Sequence, residues 1–320
     1  MQAMIQTPPK VSIGLPVYNG ERYLAETIQS LRDQVFSDFE IIICDNASTD
    51  GTVEICRRYL SLDKRIRYYR NSKNLGAAFN FNRTFKLASG KYFKWAAHDD
   101  LLAPDFLLKC VEILDKDLTM VLCHSDVQFI DGDGNHIPNE CVLLRKTGSL
   151  DPHVRFAEIT NMNHWCLDIF GLIRSATLNQ TPLIASYVGS DRNTLVMLGL
   201  LGRFYRIPEP LFFTRDHEER SVRKIPLNYR AAWFDPTKEN RIAFPHWRIF
   251  CEYIKSLNRV DISLHQRMLC YLHMAKWFKL NLSLLKKDLK VGTHYVTCRL
   301  FSKKDKETEF SSEQDRSKHC

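Results

Sequence analysis

Between residues 11 and 128 short apolar runs alternate with longer stretches whose apolar residues recur every three or four positions. Alternating periods of this kind predict successive βα units around a mainly parallel sheet. Residues 11–15 read as a first strand, and Tyr23, Leu24, Ile28 and Leu31 share one face of a helix over 21–34. Residues 39–44, with three consecutive isoleucines, read as a strand buried on both sides, as parallel strands are. Asp50 or Thr49 would cap a helix over 52–60. Residues 65–69 form a third strand, Asn74-Leu75-Gly76 turns into a helix ending near Gly90, and 91–97 form a fourth strand. Pro104 suits the first turn of a helix over 105–114. Two further strands follow at 120–123 and 127–130, and Asp131-Gly132-Asp133-Gly134 reads as a tight turn between hairpin arms.

Past residue 140 the alternation breaks down. A strand is expected at 169–174, a short helix at 175–179, a helix at 191–199, and two short strands at 204–207 and 211–214 around Pro208 and Pro210. From Arg230 the pattern turns helical, with apolar spacing of three and four over 247–256 and 264–285. The expected organisation is α/β: a mixed, mainly parallel sheet flanked by helices over 1–225, a helical appendage over 226–301, and a polar, disordered tail over 302–320.

Charge sharpens that division. The net charge is +8, and residues 226–320 hold 18 Lys/Arg against 10 Asp/Glu, so the first 225 residues are neutral. A basic C-terminal quarter, with Trp233, Phe234, Phe244, Trp247, Trp277 and Phe278 among its cations, suits an aromatic stripe packed on the body. It also suits a surface resting on anionic lipid. The longest clean apolar run is about nine residues, against ~20 for a membrane span, and the first residues lack a basic start followed by an apolar segment. A cytoplasmic protein is expected, with peripheral contact at the inner face of the membrane left open. The ten cysteines are scattered without metal-ligand spacing and read as reduced core thiols. No nucleic-acid-binding module is recognisable.

Candidate chemistry sits where apolar runs stop. The run 95–97 ends in His98-Asp99-Asp100, which would place two carboxylates at an edge of the sheet. A hard divalent cation takes such oxygen ligands and keeps the remainder of its shell for phosphate. The same pair could simply precede a helix. Pro16-Val17-Tyr18-Asn19 and Asp45-Asn46-Ala47-Ser48 also fall at strand ends, where a Tyr can stack on a base and Asp or Asn can bond to it, although such residues populate turns anyway. His98 and His124 are expected to be scaffold residues. Thr214-Arg215-Asp216-His217 could clamp a diphosphate or complete metal coordination, or form a plain surface loop.

Taken in order, Leu15-Pro16-Val17-Tyr18-Asn19, Asp45 through Thr52, Asn74-Leu75-Gly76 and His98-Asp99-Asp100 resemble family 2 glycosyltransferases of the GT-A fold, over about residues 10–220. The resemblance implies a nucleotide-diphospho-sugar donor, a divalent metal (Mn or Mg) and inversion at the anomeric carbon. By the same resemblance Pro16 and Tyr18 lie along the nucleoside, Asp45 and Asn46 contact its base, and Asn74 and Gly76 complete the donor site. Asp99 faces ribose or sugar, Asp100 is the metal ligand, with His217 as a further candidate, and Asp191 is the base. Two positions depart from the family pattern: His98 opens the D-x-D motif, and Asn46 stands where a second acid is frequent.

The expectation is therefore an inverting transfer of single sugars to a glycan or lipid-linked acceptor in cell-surface polysaccharide or glycolipid assembly. A nucleotidyltransferase making sugar nucleotides would show a Gly-rich loop with Arg and Lys after the first strand, and Pro16 to Gly20 has neither. A non-catalytic sugar-nucleotide or glycan binder would not need Asp45, Asp99, Asp100 and Asp191 together.

Overall fold

The computed structural model describes residues 7–138, 145–161, 165–220, 230–238 and 244–292. Eight strands form one sheet: β1 Val11–Val17, β2 Phe39–Asp45, β3 Ile66–Arg70, β4 Tyr92–Trp95, β5 Leu101–Leu102, β6 Met120–Ile130, β7 Leu172–Arg174 and β8 Arg203–Arg215. Their order across the sheet is β3-β2-β1-β4-β7-β6-β8-β5. Strand β1 pairs in parallel with β2 and β4, β2 with β3, and β6 with β8, whereas β7 runs antiparallel to β4 and β6, and β5 to β8.

Both faces of the sheet are covered, which explains its continuous apolar runs. In β1 the odd residues Val11, Ile13, Leu15 and Val17 pack with α1 (Leu24–Arg32), α2 (Thr52–Leu62) and α4 (Phe106–Lys116). On the other face Phe93 and Trp95 meet α5 (Pro152–Asn161) and α7 (Ser190–Leu201). The helices Pro245–Arg259 and Leu264–Leu280 join that second core through Tyr253, Leu257, Cys270, Met274 and Trp277. Phe250 stacks on Trp277 at 5.8 Å and Trp247 meets Phe278 at 6.1 Å, so this part of the aromatic stripe packs on itself, whereas Trp233 and Phe244 are exposed. No helix among the described residues is long and apolar enough to cross a membrane.

Several elements differ from the sequence expectation. The strands expected at 120–123 and 127–130 are one strand, β6, because pairing with β8 continues through register shifts at 125–127. Likewise 204–207 and 211–214 merge into β8: Pro210 lies opposite Asp126 at that irregularity, where a missing N–H is tolerated. Residues 167–170 form a 3-10 turn before the short β7, not the start of a strand. The hairpin expected around 131–134 reduces to a single bridge between Ile130 and His136. The helix expected over 264–285 stops at Leu280, and helix resumes over 282–292. Asp50 sits just ahead of α2, its Oδ1 accepting from the Thr52 N–H at 3.1 Å. Of the seven described cysteines six are buried, and Cys44, Cys56, Cys110, Cys123, Cys251 and Cys270 are free thiols. The tail over 302–320 lies outside the described residues.

This topology fixes where a ligand would sit. After β1 the chain moves outward to β2 and β3, then returns through α3 (Ala77–Lys86) to β4 on the other side of β1. A crevice opens where the order reverses, beyond the carboxyl ends of β1 and β4. Because β6 and β8 share that direction, their ends at Ile130 and Arg215 reach the same edge.

Candidate active site

Three groups of side chains line this edge. The first zips the loops after β1, β2 and β3 together. The Asn19 N–H donates to Ser48 Oγ at 2.9 Å, the Thr49 N–H returns a bond to Asn19 Oδ1 at 2.9 Å, and the Gly20 N–H reaches Thr52 Oγ1 at 2.9 Å. Asn19 and Ala47 take φ of 51° and 63°, left-handed conformations that bend both loops tightly. Asn46 Nδ2 donates to Asn74 Oδ1 at 2.7 Å and to the Gly76 carbonyl at 3.3 Å, while its Oδ1 accepts from Asn71 Nδ2 and the Leu75 N–H.

Asn46, Asn74 and Gly76 thus come together, but Asn46 is 2% exposed and both ends of its amide are committed to the loop. Asp45 is fully buried as well: it accepts from the Ser48 N–H and the Tyr68 hydroxyl, each at 2.8 Å, and pairs with Arg70 Nε at 3.1 Å. Neither residue presents a free group to a base in this conformation, because each sits under the loop it shapes. Gly76 takes φ +86°, and a Cβ there would lie 2.5 Å from the Phe234 carbonyl, so the 230–238 segment covers it closely. Pro16 is buried in β1 opposite Cys44. What the loops offer to solvent is the Tyr18 ring, 44% exposed.

The second group is the acidic corner. Asp99 and Asp100 leave β4 and are pinned from both sides: Thr27 Oγ1 of α1 donates to the Asp100 carbonyl at 3.0 Å, and the Arg215 N–H to Asp100 Oδ1 at 2.9 Å. His98 packs against Gly20, where a Cβ would come within 2.7 Å of its ring, so this corner adjoins the first group. His217 Nε2 lies 3.0 Å from Asp99 Oδ2, and His217 Nδ1 is buried without a hydrogen-bond partner among the described residues. Burial opposes ionisation of Asp99, but His98, His217 and Arg220 together hold its carboxyl below the usual range. Burial, and then the neighbouring Asp99 charge, push Asp100 up to about 7, against the Arg215 N–H, Arg220 and the Thr214 hydroxyl. Asp100, raised chiefly by burial and then by the Asp99 charge, is the carboxyl of this corner that a cation would favour in its ionised form.

Arg215, in the segment expected to clamp a diphosphate or form a surface loop, does neither. Its side chain is 1% exposed, and its guanidinium donates to the carbonyls of Asp99 at 3.0 Å and Gly132 at 3.0 Å and pairs with Glu26 at 2.6 Å. Packed 4.5 Å from the Tyr23 ring, it braces the corner. Sequence gave no sign of this, since a buried Arg and a solvated one look alike in a short polar run.

The third group surrounds Asp191 in the first turn of α7. The helix is entered through Gly189 at φ +83°, so Asp191 is not its N-cap. Its Oδ1 accepts from the Arg192 N–H at 2.8 Å. Burial raises its pKa against the Arg192 N–H and charge, the direction a general base requires. One electrostatic influence and two side-chain contacts run from it toward the acidic corner. Asp191 acts electrostatically on Cys166, Trp165 next to Cys166 meets the Arg220 guanidinium at 5.7 Å, and Arg220 bonds Thr214 Oγ1 at 3.2 Å. Trp165 and Arg220 were not singled out from sequence, where nothing but residue type marks them.

Among the described residues no three of His, Cys, Asp and Glu form a ready metal cluster. Asp100 and the unpartnered His217 Nδ1 are nevertheless donors of the types that Mg²⁺ or Mn²⁺ accept, ions commonly held by one or two carboxylates plus phosphate oxygens.

Known proteins resemble this chain in sequence and in fold. The model of the family described as Glycosyl transferase family 2 matches residues 12–175. Chondroitin synthase of Escherichia coli is 33% identical over 137 residues, 43% of this chain and 20% of that protein. The matched segments span from about a fifth to about half of the curated relatives' own lengths. Among solved structures, S. aureus TarS 1-349 in complex with UDP-GlcNAc superposes with a TM-score of 0.63 at 16% identity, covering 84% of this chain and 73% of that one. The mannosyltransferase PcManGT from Pyrobaculum calidifontis, in complex with GDP-Man and Mn²⁺, gives 0.55 at 16% identity, covering 91% and 76%. These superpositions establish the same fold.

Proposed function

The chain belongs to glycosyltransferase family 2, and from that premise we propose that it is an inverting enzyme that moves a sugar from a nucleotide-diphospho-sugar to an acceptor hydroxyl. The acceptor is a glycan or lipid-linked sugar in cell-surface polysaccharide or glycolipid assembly, met in the cytoplasm or at the inner face of the membrane. The observation that carries the reading is the buried corner of Asp99, Asp100 and His217 at the switch point of the sheet. The nucleotide-sugars and Mn²⁺ named for TarS and PcManGT support the donor class and a divalent metal.

Asp100 and His217 would hold Mg²⁺ or Mn²⁺, which when bound supplies Lewis-acid stabilisation of the leaving diphosphate, worth several kcal/mol. The chain's own residues do the remainder. Tyr18 lies along the nucleoside, with Pro16 fixing the strand end beneath it. Asp45, Asn46, Asn74 and Gly76 hold the loops that shape this side of the site. Asp99 orients the His217 ring and faces the ribose or donor sugar. Asp191 takes the proton from the acceptor hydroxyl as it attacks from the face opposite the diphosphate, which inverts the anomeric configuration.

A thermal-shift panel of UDP-, GDP- and dTDP-sugars, with and without Mn²⁺, tests the reading. Metal-dependent stabilisation by one nucleotide class is expected, about 2.7 kcal/mol at a hundredfold excess over Kd. No response to any of them would contradict it.

A further inference from the structure

We propose that Trp165 is the platform of an acceptor subsite, on which a pyranose ring of the acceptor lies face to face with the indole. The inference rests on the glycosyl-transfer reading and adds where, and with what kind of group, the acceptor binds.

The indole is 59% exposed. A large flat apolar surface of this kind is costly to leave in water. It is nonetheless held in place: the Phe129 ring meets it edge-on at 6.4 Å, and the Arg220 guanidinium sits 5.7 Å from its centroid. The backbone contributes to this placement. Cys166 takes φ 58°, a left-handed conformation unusual for a residue with a Cβ, and the chain turns there between an exposed indole and a buried thiol.

The surroundings indicate which substrate would use it. Strand order places the loops carrying Tyr18, Asn46, Asn74 and Gly76 on the β1–β2–β3 side of Asp99 and Asp100. Trp165 contacts Phe129 of β6, on the opposite side of that pair. It is also the residue before Cys166, whose buried thiol lies within electrostatic reach of Asp191. The platform therefore stands on the flank of the proposed base, away from the nucleoside side. One face of a gluco- or galacto-configured pyranose presents axial C–H groups, which match an aromatic face, while its equatorial hydroxyls remain at the rim. The Arg220 guanidinium lies over the indole, 5.7 Å from its centroid, so the pyranose takes the remaining exposed ring surface, with the Arg220 N–H groups as donors for its hydroxyls. An open-chain alditol has no such face.

The test is saturation-transfer NMR on the full chain with a nucleotide-sugar and Mn²⁺ present, using methyl β-glucopyranoside, methyl β-galactopyranoside and ribitol as probes. The expected result is transfer to ring C–H protons of a pyranoside but not to ribitol. Binding should be about tenfold weaker in Trp165→Ala, weak in Trp165→Leu and restored in Trp165→Phe, which separates a flat ring from apolar bulk. Three results would overturn the platform: no pyranoside signal in the parent protein, an undiminished signal in Trp165→Ala, or loss of nucleotide-sugar stabilisation in Trp165→Ala, which would put the donor base on the indole. Absence of nucleotide-sugar binding in the parent protein would instead sink the glycosyl-transfer reading itself.

Discussion

His217 Nε2 stands 3.0 Å from Asp99 Oδ2, and the Tyr23 ring packs 4.8 Å from the imidazole. The bond to a carboxylate puts a proton on Nε2, so Nδ1, without a partner among the described residues, is the ring nitrogen left for a metal. If Nδ1 serves a metal, His217→Ala should weaken Mn²⁺ affinity in calorimetric titration by at least the about 10–100-fold that loss of an outer-shell partner costs. Unchanged affinity would make His217 a scaffold residue only.

Asp191 is placed to act on the acceptor and not on the donor. Asp191→Asn should lower kcat by about 10²–10⁴ while the donor KM changes little, and the acidic limb of the pH–rate profile should disappear. Equal losses in both parameters would point to a collapsed site.

Two glycines separate strain from contact. Gly76 and Gly134 share nearly the same φ, +86° and +87°, but a Cβ at Gly76 meets the Phe234 carbonyl at 2.5 Å, whereas at Gly134 the nearest atom is Arg215 Nη1 at 3.9 Å. Both Gly→Ala changes should cost about 1 kcal/mol for backbone conformation. Only Gly76→Ala should cost distinctly more, by pushing the 230–238 segment off the loop. Thermal melting of the pair measures the difference, and equal losses would show that the covering segment yields freely.

Lys94 is buried in β4, bonded to the Phe170 carbonyl and 4.8 and 5.2 Å from the Phe106 and Phe212 rings. Burial lowers its pKa from 10.5 to about 7, with the charges of Cys110 and Asp100 opposing. Between these two values the unfolded chain takes up a proton that the folded chain refuses, so stability falls as pH drops through that window and levels off below it. Lys94→Met should flatten the dependence of melting temperature on pH between 7 and 10. An unchanged slope would mean that other groups set it.

The strands were legible because burial on both faces writes itself as unbroken apolar runs, and 11–15, 39–44 and 91–97 ended close to where β1, β2 and β4 end. The acidic pair was legible for the same reason, as the point where such a run stops. What local pattern concealed was long-range pairing. Pro208 and Pro210 looked like breaks until the bulged partnership of β6 with β8 absorbed them. The two-residue β5 exists only because β8 offers it an edge. Asp45 and Asn46 were visible as polar strand-end residues, but whether they face a ligand or the loop beneath depends on Tyr68, Arg70 and Asn71, some 25 residues away.

The central claim, that the Asp99–Asp100 corner holds a divalent cation against the donor diphosphate, is tested most directly by calorimetric titration of the responding nucleotide-sugar into parent and Asp100→Asn proteins, with and without Mn²⁺. Tight, Mn²⁺-dependent binding to the parent protein and loss of that dependence in Asp100→Asn are expected. Binding to the variant with undiminished Mn²⁺ dependence, or to the parent with none, would contradict it.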